Sequence, residues 1–161
     1  MKIGICGTGK MGSEIAKRLI ESDQDITVWN RTQSKASLLI NHGAKIASNI
    51  SELVKNNDII LCIMGDDIAL DYVYNSKDGF KNSDLSNKII IELSTTSVEN
   101  IQSLQKIIIN LNGEFIECPV GGSTKPARDG KLLGLVGGNK KTFDKIEYLL
   151  KFICRRYEYL G

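Results

Sequence analysis

A doubly wound α/β domain built on a mostly parallel sheet is the fold class the sequence predicts. Three observations point to it. Short apolar runs alternate with longer stretches of helical spacing, the runs are apolar at successive positions, and turn residues punctuate each switch. Strands that are apolar on both faces and separated by helices imply a parallel sheet covered on both sides. The 161 residues are close to the ~150 expected of one domain with a substantial core.

Lys2 to Cys6 reads as the first strand, and Lys10 to Glu21 as a helix with Met11, Ile15, Ala16, Leu19 and Ile20 on one face. Ile26 to Trp29 is a second strand. A helix from about Ser34 is expected to end before Gly43, a good left-handed terminator. Asn49 with Glu52 forms a capping pair for a short helix through Val54. Asp58 to Ile63 is a continuous apolar strand, Asp66 to Tyr74 a helix, and Lys88 to Leu93 another strongly apolar strand. Ser97 to Leu111 is helical and closes at Asn112-Gly113. Strands follow at Glu114 to Val120 and Leu132 to Val136. The final helix, about Lys140 to Ile153, carries Phe143, Ile146, Leu149, Leu150 and Ile153 on one side. No repeat or proline-rich linker divides the chain, whose two prolines, Pro119 and Pro126, sit near one loop.

Twenty-one basic against nineteen acidic residues leave a net charge of +2. A nucleic-acid or membrane-surface binder would normally show a basic face, and here only Lys140-Lys141 and Arg155-Arg156 are tight pairs, read as solvated. The amino terminus reaches glycine too soon for a secretory signal, and no segment approaches ~18 consecutive apolar residues. A cytoplasmic protein with neither membrane nor nucleic-acid partners is expected. Cys6, Cys62, Cys118 and Cys154 stand apart, and His42 is the one histidine. Without closely paired ligands no metal site is expected. Cys6, Cys62 and Cys118 lie in apolar runs, as core thiols of a reducing compartment would.

Gly7-Thr8-Gly9-Lys10-Met11-Gly12 fits G-x-G-x-x-G, after the first strand and opening the first helix. The first glycine permits the tight turn, the second lets a pyrophosphate approach the backbone, and the third lets helix and strand pack closely. The helix amino terminus then offers free N–H groups to phosphate. In a Rossmann-type domain an acidic residue ~20 positions further on bonds the ribose hydroxyls and repels a 2′-phosphate. This strand ends instead in Val28-Trp29-Asn30-Arg31-Thr32, with no carboxylate. Arg31 can offer a planar fork to a 2′-phosphate, Thr32 a hydroxyl and Asn30 an amide, so NADP is expected over NAD. One charged hydrogen bond of ~1.5–3 kcal/mol corresponds to a preference of about 10- to 100-fold.

Met11 in the glycine turn, Glu92-Leu93-Ser94-Thr95-Thr96-Ser97 after a central strand, and the loop from Glu117-Cys118-Pro119-Val120-Gly121-Gly122 to Ser123-Thr124-Lys125-Pro126-Ala127 resemble the β-hydroxyacid dehydrogenase family. Val28 to Thr32 together with Gly122-Ser123-x-Lys125-Pro126-Ala127 looks most like its glyoxylate/succinic semialdehyde reductase branch, which uses NADPH. The resemblance covers the whole chain. It implies that Thr8, Lys10 and Met11 line the cofactor turn, that Cys62-Ile63-Met64 passes under the riboses, and that Thr95 approaches the nicotinamide. It also implies that Gly121, Gly122 and Ser123 meet a substrate carboxylate. Many members carry serine where Gly121 stands, so that contact would come from backbone N–H or from Ser123. Ser94 reads equally as a site residue and as a helix cap.

Reduction of a carbonyl needs a general acid near the developing alkoxide. His42 sits at a helix end remote from the strand ends, and Lys125 would need a much lowered pKa. The resemblance places the catalytic lysine on a helix beyond Gly161, opening an all-helical second domain that forms most of a dimer interface. The expected chemistry interconverts a small aldehyde acid and its hydroxy acid. A 3-hydroxyisobutyrate-type dehydrogenase or a non-catalytic NADP-binding module are the alternatives.

Overall fold

Every residue from Met1 to Gly161 is described by a computed structural model, in which nine strands form one sheet. The first half alternates strand and helix: Ile3–Cys6 (β1), Lys10–Glu21 (α1), Ile26–Trp29 (β2), Gln33–Ser37 (α2), Lys45–Ile46 (β3), Ile50–Asn56 (α3), Ile59–Cys62 (β4) and Asp67–Asn75 (α4). Then come Ile89–Glu92 (β5), Val98–Asn110 (α5), Glu114–Glu117 (β6), Val120–Gly121 (β7), Thr124–Arg128 (α6), Leu132–Gly138 (β8), Lys140–Ile153 (α7) and Cys154–Tyr159 (β9). The strand order is β3-β2-β1-β4-β5-β6-β8-β7, with β9 on β8. Pairing is parallel from β3 through β6, antiparallel at β6/β8 and β7/β8, and parallel again at β8/β9. The chain reverses its direction of winding between β1 and β4, and the carboxyl ends of those strands frame a crevice, the usual ligand site of such sheets.

The central strands are apolar at successive positions because they serve two cores. Ile3, Ile5, Ile59, Leu61, Ile89 and Ile91 pack on one face with Ile15 and Leu19 of α1 and Ile146 and Leu149 of α7. Cys6, Ile60, Cys62 and Ile90 face the other way, onto Leu53 of α3, Val73 and Tyr74 of α4 and Leu104 of α5. All four cysteines are free and buried. Burial pushes the Cys118 thiol up to about 12. No helix is long and apolar enough to cross a membrane.

Four local expectations need correction. The helix expected from Ser34 to Gly43 is only α2 followed by a 3-10 turn at Ile40–His42, because Leu38 and Ile40 are exposed and supply no continuous buried stripe. Gly43 does end it in a left-handed conformation at φ 103°. The strand expected from Glu114 to Val120 breaks at Cys118-Pro119, where proline has no N–H for the ladder, and resumes as β7. Ser97, not Ser94, caps α5, its side chain accepting the Asn100 N–H. The short elements β3, α6 and β9 add to the predicted set.

Candidate functional site

Gly7 turns the chain out of β1 at φ +104°. A Cβ there would stand 2.2 Å from the Ile63 carbonyl oxygen, and one on Gly12 would stand 2.0 Å from the Gly7 oxygen. Those two glycines are demanded by the packing of β1 and α1 against the end of β4. Gly9 differs, since a Cβ there would meet nothing within 4 Å. It heads α1 without a side-chain cap, so the first N–H groups of the helix face the open space above it. Thr8 is buried, and its hydroxyl has no hydrogen-bond partner.

Two adjoining pockets share Gly9, Ile63, Met64 and Gly65 and make one crevice across the glycine turn. The first is walled by Gly7, Trp29, Asn30, Arg31, Thr32 and Lys35 on one side and by Ala69, Tyr72 and Val73 of α4 on the other. No carboxylate lines it. Arg31 and Lys35 line this half, and neither forms an ion pair. The Arg31 guanidinium lies over the Tyr72 ring, 5.8 Å from its centre, and Tyr72 in turn stacks parallel to Trp29.

The second half is lined by Lys10, Met11 and Gly12 from α1, by Leu93, Ser94 and Thr95 after β5, and by Val120 and Gly122. Gly122 adopts φ +142°, and a Cβ there would fall 2.8 Å from Leu132 Cδ2, so that side chain would have to shift. The Ser94 hydroxyl accepts the Met64 N–H at 2.8 Å. Beneath it, the buried Glu92 carboxylate accepts from the Tyr74 hydroxyl and the Ser94 N–H. Burial pushes the Glu92 carboxyl up, against those hydrogen bonds.

The crevice therefore gathers Gly7, Gly9, Lys10, Met11, Gly12, Asn30, Arg31, Thr32, Ile63, Met64, Thr95 and Gly122. Four other predicted positions lie off its walls. Thr8 is enclosed in the turn, and Cys62 is fully buried with Cys6 in the core on one face of the sheet. Gly121 lines an adjoining depression with Lys125, Lys131 and Arg155, on the far side of Gly122. Ser123 precedes α6 without capping it. Asn30 is in place, but its amide is engaged: Oδ1 accepts the Thr8 N–H at 3.0 Å and Nδ2 donates to the Thr32 carbonyl at 3.0 Å. Sequence reasoning missed Lys35 and Tyr72. Lys35 lies in α2, which begins two residues after Arg31, and belongs to no motif of its own. Tyr72 comes from a distant helix and has no local signal.

Residues 2–161 match the family model described as the NAD binding domain of 6-phosphogluconate dehydrogenase. The chain belongs to this family. As a 6-phosphogluconate dehydrogenase-type NAD-binding domain, it is 33% identical over 161 residues to glyoxylate/succinic semialdehyde reductase 1 of Arabidopsis thaliana. It is 32% identical over 162 residues to the cytokine-like nuclear factor N-PAC of Drosophila pseudoobscura pseudoobscura. Both similarities cover 100% of the chain, which spans 56% of the plant reductase and 26% of N-PAC. Among solved structures, Psf3 in complex with NADP+ and 2-OPP superposes with a TM-score of 0.94 at 29% identity, over 99% of this chain and 56% of that one.

Proposed function

We propose that this domain binds NADPH for an oxidoreductase that interconverts a small aldehyde acid, of the glyoxylate or succinic semialdehyde type, and its hydroxy acid. The observation that carries the proposal is the continuous crevice over the glycine turn. Its first pocket is lined by two unpaired cations and no carboxylate, and its second by Ser94 and Thr95. The residues fit the cofactor. Open space over Gly9 admits a pyrophosphate to the α1 amino terminus. Arg31, Thr32 and Lys35 suit a 2′-phosphate, since a carboxylate there would repel it. NADPH supplies a hydride when bound.

The chain's own part is to bind and orient. Ala69, Tyr72 and Val73 offer an apolar wall to the adenosine half. Ile63, Met64 and Leu93 offer an apolar lining to the other half. Thr95 and the backbone around Gly122 are available for polar contacts to the nicotinamide amide and to a substrate carboxylate. His42 is exposed in its 3-10 turn, and no histidine lines the crevice. A lysine outside these 161 residues would supply the proton, in a reductase that works as a homo-oligomer in the cytoplasm.

The test is a panel of glyoxylate and succinic semialdehyde with NADPH, and of 3-hydroxyisobutyrate with NADP+, on the whole protein, followed by nicotinamide absorbance. NADPH-dependent reduction of the two aldehyde acids is expected. Turnover of 3-hydroxyisobutyrate alone would favour the dehydrogenase reading. Tight NADPH binding without turnover of any of the three would favour a binding module, the reading that similarity to a nuclear factor supports.

A further inference from the structure

The fourth residue of β5 is a carboxylate in a strand otherwise made of Ile89, Ile90 and Ile91, and Glu92 is 0% exposed. Burying a carboxyl group is costly, and an apolar side chain of similar volume would serve a purely structural position as well or better. Its partners indicate what it holds. Oε2 accepts the Tyr74 hydroxyl at 2.9 Å, and Oε1 accepts the Ser94 N–H at 3.0 Å. No cation pairs with it.

The chain of hydrogen bonds continues upward to the crevice. Ser94 Oγ accepts the Met64 N–H, joining the segment after β5 to the segment after β4. At the rim the same two connections are tied again, where the Thr96 hydroxyl donates to Asp67 Oδ1 at 2.7 Å. Glu92 consumes the Ser94 N–H and Ser94 consumes the Met64 N–H. Thr95, whose side chain makes no hydrogen bond within the chain, remains the free polar group beside them. A floor fixed in this way needs no ordering when a ligand lands, which is how a supporting shell contributes to affinity.

We propose that Glu92 is a positioning residue for the nicotinamide half of the crevice, holding the ends of β4 and β5 in register through Ser94 while Tyr74 ties the same carboxylate to α4. This rests on the NADPH reading above.

The test compares two ligands on the 161-residue chain. NADPH spans the whole crevice, whereas 2′,5′-ADP occupies the Arg31 half alone. Glu92→Gln keeps the side-chain volume but cannot keep both acceptor contacts. It should weaken NADPH about ten-fold while leaving 2′,5′-ADP within about two-fold of wild type. The fluorescence of the bound reduced nicotinamide should move toward that of free cofactor. Ser94→Ala should reproduce the pattern and decides the matter if Glu92→Gln does not fold. Equal weakening of both ligands, as a merely structural role would give, overturns the proposal, and so does undiminished NADPH binding. A wild-type chain that binds neither ligand overturns the dinucleotide reading first, and this inference with it.

Discussion

The guanidinium of Arg31 rests over the ring of Tyr72, 5.8 Å from its centre, although 41 positions separate the two residues. The ring supplies a face on which a planar cation is held by its charge and its shape. Tyr72→Ala should therefore weaken NADPH by about two- to five-fold, the worth of an exposed cation–π contact, and change NADH less. Tyr72→Phe should match wild type. Isothermal titration of both cofactors against both variants checks this, and equal losses for NADPH and NADH would contradict it.

Gly9 and Gly12 separate ligand approach from packing. Gly12→Ala drives a methyl group against the Gly7 carbonyl and should cost about 1–3 kcal/mol of stability in denaturant titration. Gly9→Ala enters open space with the backbone already extended. Its stability should stay within about 0.5 kcal/mol of wild type. NADPH affinity should nonetheless fall ten-fold or more, on the order of the close approach that position serves. Wild-type affinity in Gly9→Ala would mean that the pyrophosphate lies elsewhere.

Asn30 braces the glycine turn to the end of β2, so its substitutions should divide by chemistry. Asn30→Ala loses both hydrogen bonds and should cost about 1 kcal/mol of stability, with both cofactors weakened. Asn30→Asp keeps the acceptor for the Thr8 N–H and places a negative charge beside the first pocket. It should weaken NADPH about ten-fold or more and spare NADH. Equal effects on the two cofactors would count against a 2′-phosphate at this end.

The Arg128 guanidinium, through its hydrogen bond to Glu14, holds that carboxyl below the usual range, with burial opposing it. A lowered folded pKa means stability that is present above the unfolded value and lost as pH falls through the folded one. Arg128→Ala should lower the melting temperature at pH 7, and the gap should close as pH falls below the ordinary carboxylate range and Glu14 protonates in either protein. Melting curves across that range test it; a gap unchanged at low pH would assign the loss to packing of α6 on α1.

The two-faced core was legible because β1, β4 and β5 are apolar at successive positions, which a strand turns to alternate faces. The glycine turn was legible because Gly7 and Gly12 answer local steric demands of packing and Gly9 leaves open space at the head of α1. The end of the chain was not. In β9, Arg155 is an extra residue between the pairs Leu132–Cys154 and Leu133–Arg156, and that bulge breaks the alternation that would mark a strand. β3 is two residues long, too short for any period. At the site, Arg31 announced itself by its place after β2. The tasks of Ser94 and Asn30 depend on partners at Met64 and Thr8, which only the tertiary fold brings near. Cys62 illustrates the same limit, since adjacency in sequence to Ile63 and Met64 does not turn its thiol to the crevice.

The central claim is that the crevice is built for a dinucleotide carrying a 2′-phosphate. Titration of the 161-residue chain with NADPH and with NADH, followed by nicotinamide fluorescence, tests it most directly. The account predicts NADPH binding about 10- to 100-fold tighter than NADH, and loss of that preference in Arg31→Ala. Equal affinity for the two, or binding of neither, would contradict it.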